Sequence, residues 1–182
     1  MVAELTGPAR EAVREVQRWA DPKLHRVTHP HVTLVGSSGV GPIPAGTPAA
    51  QLRALVEPIT STTEPITVQF GRPMRFMQTD IIVLPLDPHG PLRTLHERIA
   101  RSGLRFDPAR FAFSPHCTLS FFRALTPEME RRLLRVRVTE PVVIDRLHFY
   151  LTVEPNPGRR LVDLALTQEA GGRIQEAGVS RP

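Results

Sequence analysis

His31-Val32-Thr33-Leu34 and His116-Cys117-Thr118-Leu119 repeat one tetrapeptide, HxTL, and each copy follows a proline, Pro30 or Pro115. Proline biases the residue before it toward extended backbone, and the β-branched residues of the tetrapeptides favour strands. Side chains in a strand alternate between two faces. His31 and Thr33 therefore share one face and Val32 and Leu34 the other; His116 and Thr118 likewise stand opposite Cys117 and Leu119. Each strand buries an apolar face and presents an imidazole and a hydroxyl. Two such strands side by side bring two histidines and two threonines into one cleft.

The surrounding chain reads as an alternation of strands and helices. Strands are expected over 2–5, 31–36, 66–70, 80–86, 116–122, 142–153 and 161–166. Residues 8–20 read as a helix with Val13, Val16 and Ala20 at helical spacing, ended by Asp21-Pro22. Further helices are expected over 49–60, over 91–102 with Leu92, Leu95 and Ile99 on one face, and over 127–135 with Thr126 as N-cap. Pro155-Asn156-Pro157-Gly158 reads as the turn joining the last two strands. Hairpin-like strand pairs among the helices predict an α+β domain of mainly antiparallel sheet. The recurrence of helix, proline and HxTL points to two related lobes. Residues 1–167 are expected to form one bilobal domain and 168–182 a disordered tail.

Composition narrows the chemistry. The chain has 182 residues, enough for one domain with a proper core. Its longest apolar runs, such as Ile81 to Leu84, are too short to cross a bilayer, and the first residues lack the apolar stretch of a signal peptide. The single cysteine, Cys117, has no internal disulfide partner, and a cytoplasmic location is expected. Of 23 basic residues only Lys23 is a lysine, and the formal charge is +5. Arginine offers a planar fork for phosphate, which suits an anionic partner such as nucleic acid. An arginine-heavy, proline-rich composition is equally explained by coding bias. Aromatics are 5%, which argues against an extended base-stacking surface.

Two histidines in one cleft suit phosphoester transfer. With an ordinary pKa of about 6.5, one can be neutral and take a proton while the other is protonated and gives one. Threonine hydroxyls can donate to the non-bridging phosphate oxygens. On the face of His116, Ser120 is a further candidate for phosphate and Phe122 for a base, the alternative for Phe122 being closure of the core. Tyr150, opposite Leu147, Phe149 and Leu151 in strand parity, is a candidate for the cleft. His25, His29, His89, His96 and His148 read as structural or solvated. Gly36-Ser37-Ser38-Gly39-Val40-Gly41 lacks the lysine of a nucleotide loop and is read as a plain loop. Cys117 falls on the core face and reads as a small hydrophobe. No zinc-type clustering of Cys and His occurs, so neither a metal nor another cofactor is expected.

With both HxTL motifs intact, the chain resembles the 2H phosphoesterase superfamily, which includes 2′-5′ RNA ligase-like proteins and RNA 2′,3′-cyclic phosphodiesterases. The order of elements agrees over nearly the whole chain, and the stretch DPKLHRVTHPHVTLVG is similar to the first-motif region of bacterial members. The resemblance implies two α+β lobes around a central cleft, His31 and His116 as the acid–base pair, and Thr33 and Thr118 as phosphate binders. Many ligase-like members carry an arginine soon after the second motif; here Ser120-Phe121-Phe122 precedes Arg123. The expected activity is hydrolysis of a 2′,3′-cyclic phosphate or a related nucleotide or RNA-end phosphoester by a monomer. Two alternatives stand beside it: ATP-independent 2′-5′ RNA ligation, and a non-catalytic nucleotide- or RNA-binding module.

Overall fold

The structure, a computed structural model, describes residues 1–76, 78–151 and 158–167. Its elements, in chain order, are β1 (Val2–Glu4), α1 (Gly7–Ala20), α2 (Pro22–Val27), β2 (His31–Thr33), α3 (Ala49–Thr60), β3 (Ile66–Val68), β4 (Met74–Arg75), β5 (Ile82–Pro85), α4 (Pro91–Ala100), β6 (His116–Ser120), α5 (Pro127–Leu134), β7 (Val142–Ile144), β8 (Arg146–Leu151) and β9 (Arg159–Ala165). All strand pairs are antiparallel, so the α+β expectation holds. One sheet has the order β2-β1-β8-β9, a second β4-β5-β6, and β3 pairs with β7. The Gly71 N–H donates to the Pro85 carbonyl at 2.8 Å, joining the segment between β3 and β4 to β5.

Two strand–helix–strand units repeat across these sheets. In β1–α1–α2–β2 and in β5–α4–β6 the second strand begins at a motif histidine, runs antiparallel to the first and ends its sheet. The same backbone bond closes both units: Leu5 N–H donates to the Pro30 carbonyl and Leu86 N–H to the Pro115 carbonyl, each at 2.9 Å. The edge strands β2 and β6 pack side by side. The helices hold this junction from behind. On α1, Ala9, Val13, Val16 and Ala20 are buried at helical spacing; on α4, Leu92, Leu95 and Ile99 are. Both stripes belong to one apolar cluster that includes Val32, Leu34, Cys117 and Leu119 from the motif strands.

Two expectations are corrected. Asp21-Pro22 does end α1, yet it also starts α2: the Asp21 carboxylate caps the Leu24 N–H at 3.0 Å, and Pro22 occupies the first helical turn. The stretch 142–153 is not one strand. Asp145 and Arg146 are exposed in succession, which breaks the alternation of period two, and the chain passes there from β7 in one ladder to β8 in the first sheet. Several strand ends are shorter than expected, and β2 stops at Thr33, although the Leu34 and Val35 N–H groups still donate to the Met1 carbonyl. Most of the turn at 155–158 and the tail from 168 lie outside the described residues.

Candidate active site

Side-chain parity in the two motif strands is as the tetrapeptides imply. Val32, Leu34, Cys117 and Leu119 are buried to within 1% of full burial, while His31, Thr33, His116 and Thr118 are half-buried. The Cys117 thiol is fully buried, and β2 packs beside β6, so the two histidines stand on adjoining strands. Full burial pushes that thiol up to about 12, which keeps it protonated and inert.

Each imidazole is oriented by the same local device. His31 Nδ1 lies 2.8 Å from the His29 carbonyl, and His116 Nδ1 lies 2.7 Å from the Ser114 carbonyl. A carbonyl only accepts, so Nδ1 carries the proton and donates, leaving Nε2 as the working nitrogen. In both cases the carbonyl belongs to the residue before the proline, whose backbone the proline restrains. Burial, the largest influence, lowers the pKa of His31; the His29 carbonyl opposes it, the N-terminal ammonium adds to it, Glu4 opposes it and the charge of His116 adds to it. Burial also lowers His116, against the Ser114 carbonyl. The Phe76 and His116 rings stand nearly perpendicular, their centroids 4.9 Å apart.

The hydroxyls of Thr33 and Thr118 make no hydrogen bond to the protein among the described residues, so both are free to donate. Their strands are fixed from the opposite lobe. Gln17 of α1 donates to the Thr118 carbonyl at 2.8 Å, and His96 Nδ1 of α4 lies 2.7 Å from the Leu34 carbonyl. The His96 ring stacks on Phe113 at 4.1 Å.

The remaining candidates separate. Ser120 is fully buried with no partner for its Oγ, so it is closed to a ligand rather than presented to one. Phe122 does not continue the face of His116: β6 stops at Ser120, and the Phe121 and Phe122 N–H groups turn to the Asp21 carboxylate at 2.8 and 2.7 Å. Tyr150 does stand opposite the buried Leu147 and Phe149. Its hydroxyl donates to Glu4 and accepts from Arg160 at 2.9 and 3.1 Å. Glu4 in turn stands opposite His31 in the β1–β2 ladder. Burial works to raise Glu4, but the bonds from Tyr150 and Arg160 outweigh it and hold the carboxyl low. Sequence reading missed Glu4, Gln17, Asp21, His96 and Phe76. Only Glu4 carried a signal, its parity with a strand that had to pair with something.

Among the described residues no group of three or more His, Cys, Asp or Glu side chains is arranged to hold a metal ion, and no helix is long and apolar enough to cross a membrane.

The fold has counterparts among solved structures. The architecture is that of E. coli LigT: its apo crystal structure is 18% identical with a TM-score of 0.51, over 92% of this chain and 95% of that one. The complex of E. coli LigT with NADP+ gives 18% identity and a TM-score of 0.50 over the same shares. A family model described as the 2'-5' RNA ligase superfamily matches residues 6–156, and the chain belongs to that family. No curated protein sequence matches it.

Proposed function

We propose that the chain is a phosphodiesterase that opens 2′,3′-cyclic phosphates, or related nucleotide and RNA-end phosphoesters, as a cytoplasmic monomer needing no metal or cofactor. The observation that carries this reading is the duplicated Pro-His-x-Thr strand. It supplies two imidazoles with Nδ1 tied to a carbonyl and Nε2 free, beside two unbonded hydroxyls. Family membership supports the same chemistry.

In the proposed step the neutral Nε2 of one histidine takes a proton from water as the water oxygen bonds to phosphorus. The bond from phosphorus to a ribose oxygen breaks, and the protonated Nε2 of the other histidine gives that oxygen its proton. A cyclic phosphate becomes a phosphomonoester and a free hydroxyl. Thr33 and Thr118 donate to the non-bridging oxygens, where charge accumulates. Tyr150 acts through Glu4 as a positioning residue for the His31 side of the cleft. An RNA hydroxyl attacking in place of water gives 2′-5′ end joining by the same geometry, a reading the family description favours.

The test is a panel of 2′,3′-cyclic mononucleotides and cyclic-phosphate-ended RNAs, incubated with EDTA and, separately, with 5′-hydroxyl RNA ends. Turnover in EDTA supports the hydrolase, and joined products support ligation. Nucleotide binding without turnover would leave a binding module and overturn the reaction.

A further inference from the structure

Beyond the end of β6 the chain holds two large apolar side chains in solvent. Phe121 is 51% exposed and Phe122 45%. Leaving such area in water forgoes free energy that burial would give. The pair is nonetheless fixed. One oxygen of the buried Asp21 carboxylate accepts the N–H of both phenylalanines, and the other caps α2 through Leu24. The two rings meet edge to face at 5.0 Å, and the Lys23 ammonium, carried on α2, lies 4.2 Å over the Phe122 ring. Alongside, the Arg132 guanidinium lies 3.8 Å over Trp19, and Arg123 reaches the Ala20 carbonyl at 3.5 Å. Lys23, Arg123 and Arg132 make no ion pair among the described residues. Exposed rings interleaved with uncommitted cations are what a single nucleic-acid strand needs, since its bases stack and its phosphates pair. An acidic peptide would satisfy the cations and leave the rings uncovered.

We propose that this surface binds single-stranded RNA leading away from the histidine cleft, with bases stacked on Phe121 and Phe122 and phosphates held by Lys23, Arg123 and Arg132. The proposal deepens the reading above, because it takes the reacting end of the RNA to lie at His31 and His116. The four residue steps from His116 to Ser120 span roughly 13 Å of extended strand. The phenylalanines follow that span, so they serve nucleotides upstream of the reacting one. Asp21 is a positioning residue for both rings and for Lys23.

The test measures binding of a labelled twelve-nucleotide single-stranded RNA with a hydroxyl end, by fluorescence anisotropy, beside turnover of a 2′,3′-cyclic mononucleotide. For Phe121→Ala combined with Lys23→Ala, RNA affinity should fall about tenfold or more, the size of one lost base stack. Mononucleotide turnover should stay at the wild-type level, which also reports that the variant folds. With Lys23→Ala alone, the slope of log affinity against log salt should become shallower by about 0.7. Unchanged RNA affinity with normal mononucleotide turnover overturns the surface and leaves the proposed reaction standing. If the wild-type protein itself turns over no mononucleotide, RNA binding weakened in a variant that keeps the wild-type Tm supports the surface and removes the reaction. Polyglutamate binding as tightly as RNA, and lost in the same variants, overturns the proposal in favour of an acidic peptide.

Discussion

In the β1–β2 ladder His31 stands opposite Glu4, whose carboxylate is engaged by Tyr150 and Arg160; in the β5–β6 ladder His116 stands opposite Pro85 and packs nearly perpendicular to the Phe76 ring. Up to that point the two units match: a proline before each histidine, a carbonyl on each Nδ1, the same bond from the first strand to each proline carbonyl. Local sequence thus orients both rings alike, and the residues that neighbouring segments bring beside them make them unlike. A carboxylate near His31 favours its imidazolium, whereas an apolar ring beside His116 favours the neutral form. Acid–base catalysis needs that kind of division between two otherwise equal groups.

The strongest way to break the comparison is to remove either ring. His31→Ala and His116→Ala should each lower turnover of a cyclic mononucleotide by at least about 10². The double variant should lose less than the product of the two, since acid and base act in one step. Near-normal steady-state rates in either single variant would remove that residue from the mechanism.

What the sequence made legible follows the range of the forces involved. Face alternation in HVTL and HCTL depends on neighbours two residues apart, and it holds in both strands. The boundaries of α3 are those the pattern predicts, because Leu52 and Val56 supply a local apolar stripe. Residues 142–153 read as one strand because nine of the twelve are apolar, aromatic or β-branched; tertiary pairing divides them at Asp145. Phe122 departs from the expected face for a related reason. Parity extends a strand indefinitely, whereas the Asp21 carboxylate, 101 residues away in sequence, stops this one. Gln17 is equally distant from Thr118, and nothing near HCTL announces it.

The threonines come next in size. Thr33→Ala and Thr118→Ala should each cost about tenfold in kcat, the worth of one hydrogen bond that strengthens in the transition state. Gly36 offers an indirect version. A Cβ there would come within 2.8 Å of the Thr33 methyl group, so Gly36→Ala should reproduce part of the Thr33→Ala loss. Equal kcat values for wild type and both threonine variants would show that the hydroxyls do not serve the phosphate.

Pro30→Ala and Pro115→Ala probe what the two units share. Each frees the preceding residue, whose carbonyl holds a histidine Nδ1, to leave extended backbone. A loss of a few-fold in kcat, similar in the two variants, is expected from steady-state kinetics. A large difference between them would mean that one ring is held mainly by something other than its carbonyl.

The smallest effects are the most informative, because they fall on the difference between the units. Both histidines are depressed by burial, so both limbs of the pH–rate profile should lie below the ordinary imidazole range of about 6.5. Stability has the same origin. The unfolded chain binds these protons first, so folding stability is lost as pH falls from about 6.5 toward the depressed native values, and His116→Asn should flatten that loss in Tm. Glu4→Gln removes a charge that favours protonated His31, and one limb should move to lower pH. Phe76→Ala admits water beside His116, relieves its desolvation and should move a limb to higher pH. The limbs belong to the coupled pair, so neither can be given to one residue from the wild-type profile. Opposite displacements in the two variants would assign them: the limb that follows Glu4 belongs to His31, and the one that follows Phe76 belongs to His116. Displacement in the same direction would mean that the two surroundings act as one field, and the division of labour would then have to come from the substrate.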